Sequence, residues 1–259
     1  MHATQSTQAA PLAALFVSDI HLSPALPLTT AAFLRFLAQH GAGAKRLYLL
    51  GDLFEYWVGD DDLDDPYHQT IVCALQQLAA HGTELFWIGG NRDFLIGRVF
   101  ALATSMQLLP EPSVIVAGAQ RIILCHGDAA CTDDLDYMRF RSMVRSSAWQ
   151  EQFLAQDLAT RKQLVAAMRS NSKNEQAQKE MAIMDVNPAA IAAVFEACAC
   201  DTMIHGHTHR PARHEQDGRR RYVLPDWDCD TTPARGGWIA IDEAGTISRH
   251  QLDGSVTSA

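Results

Sequence analysis

The sequence predicts an α/β protein, a four-layer αββα sandwich with a helical cap insertion in its second half. Three observations carry that expectation. Strand-like and helix-like stretches alternate over residues 12–93, the signature of a parallel sheet with right-handed crossovers. From Val114 on, the rhythm changes to β-branched runs separated by turn residues, which suits a second sheet. Residues 132–186 show only helical spacing and interrupt that second half, as a cap over the sheet ends would.

The elements follow in order. Residues 1–11 are polar, rich in Ala, Gln and Thr, and carry no Lys or Arg, so they read as a disordered tail and not as a signal peptide. Residues 12–259 read as one domain. The apolar run 12–17 is a buried strand, followed by Ser18-Asp19-Ile20-His21. Phe33, Leu34, Phe36 and Leu37 recur at helical spacing, and Gly41-Ala42-Gly43 ends that helix. The run 47–50 is a second strand and closes on Gly51-Asp52, where glycine permits a sharp turn and a close backbone approach. Ile71, Val72, Leu75 and Leu78 mark a helix that His81-Gly82 stops. Residues 84–88 are the third strand, ending in Gly89-Gly90-Asn91-Arg92-Asp93. Val114 to Val116 and Ile122 to Leu124 flank Ala117-Gly118-Ala119-Gln120 as a hairpin, and His126-Gly127-Asp128 follows it. Asn187-Pro188 opens a helix with its cap and first-turn proline. The short strand 202–204 ends in His205-Gly206-His207-Thr208-His209, and the tail returns to β around Asp217-Gly218 and Glu243-Ala244-Gly245.

Bulk properties narrow the function. The chain has 259 residues, 47% of them hydrophobic, enough for a core of its own. A net charge of -9 argues against general nucleic-acid binding, which needs a basic footprint. The six cysteines are scattered without Cys-x-x-Cys spacing and fit small buried thiols of a reducing compartment. No uninterrupted apolar run approaches the roughly 20 residues that span a bilayer, so a cytosolic protein is expected.

The chemistry collects at the strand ends, where ligands gather in open α/β sheets. Asp19, His21, Asp52, Asn91, His126, His205 and His207 all lie there. Asp19-x-His21 and His205-Gly206-His207 would each put two side chains on one side of an extended segment, since side chains alternate with period two. Each piece alone reads as a turn or surface polarity. Together, carboxylates, imidazoles and one amide form a mixed N/O donor set suited to manganese, iron or zinc. Seven candidates exceed what one ion needs, and two ions about 3.5–4 Å apart share a carboxylate. Asp52 is the expected bridge.

Asp19-x-His21, Gly51-Asp52, Gly90-Asn91-x-Asp93, His126 and Gly206-His207-x-His209 resemble the calcineurin-like metallophosphoesterase signature. The resemblance implies one ion on Asp19, His21, Asp52 and His207 and another on Asp52, Asn91, His126 and His205, with hydrolysis at phosphorus by water that the ions activate. Where the general pattern has Gly-Asn-His-Asp, this chain has Arg92. Guanidinium is a poor proton donor and a good bidentate partner for phosphate, which favours a pyrophosphate bond over a phosphomonoester. Asp52, Asn91, Arg92 and His126 are therefore the expected catalytic residues.

Longer strings agree, among them Gly51-Asp52-Leu53-Phe54-Glu55, Gly90-Asn91-Arg92-Asp93-Phe94-Leu95, Cys131-Thr132-Asp133-Asp134 and Ala182-Ile183-Met184-Asp185. They resemble the UDP-2,3-diacylglucosamine pyrophosphohydrolases of lipid A biosynthesis. That resemblance implies UMP and 2,3-diacylglucosamine 1-phosphate as products and two Mn2+ ions. It also implies peripheral attachment to the cytoplasmic face of the inner membrane; the sequence leaves the oligomeric state open, with a monomer favoured. The implied substrate contacts are Asn91, Arg92, Asp134, Ser172, Gln176, Lys179 and His205, with Gln176 standing where the family has Asn. The region around Asp226-Trp227-Asp228 departs from the family pattern. Residues 135–185 carry eight basic side chains against six acidic ones, about +2, in an otherwise acidic chain. A basic lid of this kind suits a diphosphate and an anionic lipid surface. Two other readings share the motifs: a soluble dinucleoside polyphosphate pyrophosphatase, and a catalytically silent metal-binding scaffold. The apolar lid argues against the first and the filled ligand positions against the second.

Overall fold

The structure is a computed structural model that describes residues 12–176 and 185–257. The expected tail, 1–11, lies outside the described residues. Parallel strands β1 (Leu12–Val17), β2 (Arg46–Leu50), β3 (Glu84–Ile88) and β4 (Met106–Leu108) alternate with helices α1 (Pro27–Gln39), α2 (Pro66–Ala80) and α3 (Arg98–Thr104). The hairpin β5 (Ser113–Ala117) and β6 (Gln120–Leu124) begins the second sheet. Next come α4 (Leu135–Val144), α5 (Ser147–Leu154), α6 (Leu158–Gln176) and α7 (Pro188–Cys198). The chain closes with β7 (Thr202–His205), β8 (Arg213–Gln216), β9 (Arg219–Val223), β10 (Gly237–Asp242), β11 (Ile247–Gln251) and β12 (Val256–Thr257).

The strands form a seven-stranded sheet, β12-β11-β10-β1-β2-β3-β4, and a five-stranded one, β5-β6-β7-β9-β8. Strand alternation divides their side chains among three cores. Phe16, Tyr48 and Ile88 meet Ile122, Leu124, Ile204 and Tyr222 between the sheets. Leu15, Leu47 and Leu49 pack outward on Phe33 and Phe36 of α1 and Ile71 and Leu75 of α2. Ile123 and Met203 pack outward on Ile191 and Phe195 of α7. The predicted four-layer order α-β-β-α is thereby observed. Across the middle, Phe16, Tyr48 and Phe86 stand in register on adjacent strands, with ring centroids 5.1 and 4.7 Å apart.

Two helix starts are capped from far along the chain. The Asp60 carboxylate accepts from the N–H groups of Gly97, Val99 and Phe100 at 2.9, 2.9 and 3.1 Å, opening α3. Asp230 accepts from Leu28 and Thr29 N–H at 3.0 and 2.9 Å, opening α1. Such carboxylates satisfy first-turn donors as a local cap would.

Helices α4 to α6 occupy the segment expected as a cap, and charged side chains bolt them down. Arg141 of α4 reaches Asp128 at 2.8 Å and Glu111 at 3.1 Å. Arg145 donates to the carbonyls of Gly89 and Gly90 at 3.2 and 2.9 Å and lies over the Phe94 ring. Arg161 of α6 is buried, pairs with Asp61 and donates to the Val58 carbonyl, while Lys162 meets Asp62 at 2.6 Å. Much of the basic charge of α4 to α6, expected to face a ligand, is used in docking these helices. Arg161→Ala, which leaves a hole and a carbonyl without its donor, is expected to lower stability by about 2–4 kcal/mol. Urea unfolding would measure it, and an unchanged midpoint would show that α6 does not depend on this anchor.

Candidate metal centre

The ends of β1, β2, β3, β6 and β7 converge on one spot. Asp19, His21, Asp52, His207 and His209 all take left-handed backbone angles, with φ of 52, 53, 53, 68 and 53°. Left-handed φ is uncommon for residues with a side chain, and its concentration here marks strain held in place by the surrounding fold. The neighbouring glycines make room. Gly51 has φ 86°, and a Cβ there would stand 2.5 Å from His126 Nδ1. A Cβ on Gly206 would stand 2.1 Å from Ser18 Oγ and 2.2 Å from Asp19 Oδ2.

Asp52 sits in the middle. Its Oδ1 is 3.7 Å from His126 Nε2 and its Oδ2 is 4.0 Å from His21 Nδ1, so its two oxygens face two different groups of ligands. In one group, Asn91 Oδ1 lies 2.9 Å from both His126 Nε2 and His207 Nδ1. The His126 ring is fixed by its Nδ1, 2.9 Å from the Leu50 carbonyl, which leaves Nε2 for the centre. In the other group, His209 Nε2 lies 3.3 Å from His21 Nε2 and 3.4 Å from Asp19 Oδ1. Asp19 Oδ1 is buried with no hydrogen-bond partner, while Oδ2 accepts from Ser18 Oγ at 2.5 Å and His207 N–H at 2.8 Å.

The sequence expectation needs a correction at β7. His205 is fully buried, with Nδ1 2.9 Å from the Gly206 carbonyl and Nε2 2.9 Å from Arg221 on β9. Both ring nitrogens are engaged away from the centre. His209, absent from the expected ligand set, stands where a fourth donor beside Asp19, His21 and Asp52 would. Period-two alternation fails because β7 ends at His205 and the next two histidines, His207 and His209, themselves take left-handed angles. The same holds for Asp19 and His21, which lie past the end of β1 and are not extended. His205 is likewise not placed to touch a ligand at the centre.

Metal binding needs neutral imidazoles and ionised carboxylates, a condition that His21, His207 and Asp19 meet and that His126 would meet by giving up its proton to an incoming cation. Burial lowers His21 and His207 to about 4. Burial would raise Asp19, but nearby His209, His126 and His21 hold it well below the usual carboxylate range. Burial would lower His126, yet the Asp52, Asp19, Asp128 and Glu111 carboxylates outweigh it and raise it to about 9. A centre that draws a proton onto a fully buried imidazole is one that wants positive charge. With the unpartnered Asp19 oxygen and the facing donor atoms, these residues fit divalent cations.

Around the donors, Glu55 Oε2 is 3.3 Å from His21 Nδ1 and 3.8 Å from Arg92 NH1, and Glu55 also pairs with Arg169 of α6. Glu55 was no candidate from sequence, although it lies in the Gly51-Asp52-Leu53-Phe54-Glu55 string. Arg92 Nε stands 3.9 Å from Asp52 Oδ2, half-buried at the edge. Asp134 accepts from Tyr137 N–H at 3.1 Å as the cap of α4. Ser172 and Gln176 fall in α6 with side chains outside the described part, and Lys179 lies outside the described residues.

The profile of the calcineurin-like phosphoesterases matches residues 12–211. The chain belongs to that family. Among curated relatives of this phosphoesterase, a protein of Bordetella pertussis is 46% identical over 236 residues, covering 88% of this chain and 91% of its own. One of Ralstonia nicotianae is 44% identical over 237 residues, covering 88% of both chains. One of Escherichia coli is 45% identical over 223 residues, covering 85% and 92%. All three carry the name UDP-2,3-diacylglucosamine hydrolase. No helix among the described residues of this phosphoesterase is long and apolar enough to cross a membrane.

Proposed function

We propose that this phosphoesterase hydrolyses the pyrophosphate bond of UDP-2,3-diacylglucosamine, releasing UMP and 2,3-diacylglucosamine 1-phosphate for lipid A biosynthesis, with two Mn2+ ions. The observation that carries the reading is Arg92 poised beside a double donor set, in a chain close to half identical to relatives of that name. Asp19, His21, Asp52 and His209 would hold one ion, and Asp52, Asn91, His126 and His207 the other. Bound divalent ions lower the pKa of water and neutralise phosphate oxygens.

The chain's own residues do the rest. The Leu50 carbonyl orients His126, and Glu55 Oε2 stands 3.3 Å from His21 Nδ1. Arg92 and Arg169, held in part by Glu55, carry the charge that a diphosphate needs, and a guanidinium stabilises a departing phosphate without giving up a proton. By the resemblance, Asp134, Ser172, Gln176 and Lys179 would bind the sugar and its acyl groups. Trp149, Phe153, Leu164 and Met168 line an apolar groove of about 390 Å³ between α5 and α6, suited to acyl chains. Leu135, Phe140 and Met143 are exposed on α4, as a helix resting on the cytoplasmic face of the inner membrane would have them.

The test is UMP release from UDP-2,3-diacylglucosamine in detergent micelles by metal-stripped protein, with and without manganese. Release should depend on manganese, and Arg92→Ala should lower kcat/KM about 10²–10³-fold, as loss of a charge-stabilising donor does. Turnover of dinucleoside polyphosphates but not of the lipid would move the assignment to the soluble pyrophosphatase. Metal uptake without any turnover would leave a silent scaffold.

A further inference from the structure

Beside the metal centre is a second opening, of about 510 Å³, that begins at His209 and is lined further out by Arg235, Arg249 and His250. It shares no residue with the apolar groove of α5 and α6. His209 connects it to the centre, since Nε2 faces Asp19 Oδ1 at 3.4 Å and Nδ1 faces Asp226 Oδ2 at 3.7 Å. The two arginines differ. Arg235 NH2 is satisfied by Asp226 and Asp228, both at 3.2 Å. Arg249 Nε and NH2 have no acceptor among the described residues. Those two nitrogens forfeit the hydrogen bonds they had in water, so the side chain gains by turning them toward any acceptor that enters. Arg249 sits on β11, two strands out from β1 across β10. By register Arg249 is level with Phe16, three residues before Asp19, so two strand spacings across and three residues along put it about 14 Å from Asp19, a span that a 5′-nucleotide and the arginine side chain cover together.

A diphosphate with a lipid at one end and a nucleoside at the other needs two unlike sites flanking the ions. The apolar groove suits the first, and a cationic, polar opening suits the second. We propose that this opening receives the uridine half of the substrate, with Arg249 donating to the uracil carbonyl oxygens. The proposal rests on the pyrophosphate reading and adds its nucleotide subsite.

The experiment compares UMP with ribose 5-phosphate, which keeps the phosphate and sugar and lacks the base, by calorimetric titration onto manganese-loaded full-length protein. Wild type should prefer UMP by about tenfold or more, the worth of a charged hydrogen bond. Arg249→Met should remove most of that preference while ribose 5-phosphate binds as before, which also reports a folded variant. Arg249→Lys, with a charge but no fork, should recover part of it. A wild type without preference, or an Arg249→Met variant that keeps it, would overturn the proposal. If UDP-2,3-diacylglucosamine is not hydrolysed while the Arg249-dependent preference persists, the lipid reading fails and the uridine site stands.

Discussion

Replacing His209 by alanine is expected to lower bound manganese from two equivalents to about one and activity by at least about 10²-fold. Replacing His205 should do neither. His209 Nε2 lies within 3.4 Å of Asp19 Oδ1 and 3.3 Å of His21 Nε2, so its loss opens the coordination of that group. His205 spends its ring nitrogens on the Gly206 carbonyl and Arg221, and its removal leaves a half-buried guanidinium short of a partner and a cavity at the end of β7. His205→Ala should therefore cost about 2–3 kcal/mol of stability while keeping both manganese equivalents and activity within tenfold at permissive temperature. Metal content after gel filtration, UMP release at saturating manganese and thermal unfolding separate the two. If His205→Ala lost an ion and His209→Ala kept both, the ligand set expected from sequence would be restored.

That contrast shows where sequence reasoning stops. The apolar runs 12–17, 47–50 and 84–88 announced their strands because a sheet covered on both faces needs continuous hydrophobicity, and they end where the donors begin. Asp19, His21, Asp52, Asn91, His126 and His207 could thus be placed from their position after a strand. Choosing between His205 and His209 needed the backbone angles past the strand end, which composition does not encode. Helix α3 and strand β4 went unseen for another reason. Both are short, and α3 takes its cap from Asp60, 37 to 40 residues earlier, so no local start signal exists. The cap's helices were legible from spacing, but not that Arg141, Arg145 and Arg161 would face carboxylates and carbonyl oxygens of the core. A basic side chain looks the same in sequence whether it awaits a ligand or already has a partner.

Asp52→Asn should fold normally and lose about 10³-fold or more of kcat/KM. The substitution preserves shape, and the backbone contacts of Asp52 remain, with its carbonyl accepting from Ile20 and His21 N–H at 2.9 and 3.0 Å. Its Oδ1 can still accept from Arg92 N–H at 2.8 Å. What disappears is one negative charge between the two proposed cation sites, leaving Asp19 as the one carboxylate in the proposed donor set. A unit charge 4 Å from another is worth about 4 kcal/mol at an effective dielectric constant of 20, which is about a thousandfold in binding or rate. Asp93 is the control, because it is a carboxylate of the same cluster that holds the scaffold and not the ions. It is fully buried and accepts from Asp52, Leu53 and Gly90 N–H at 3.2, 2.7 and 3.0 Å, while burial and the neighbouring Asp52 charge raise its carboxyl to about 6. Asp93→Asn, which puts a donor among three donors, should cost about 2–3 kcal/mol of stability and a smaller share of activity. The opposite pattern, with Asp52→Asn active within tenfold and Asp93→Asn stable and dead, would remove Asp52 from the bridge between the two ions.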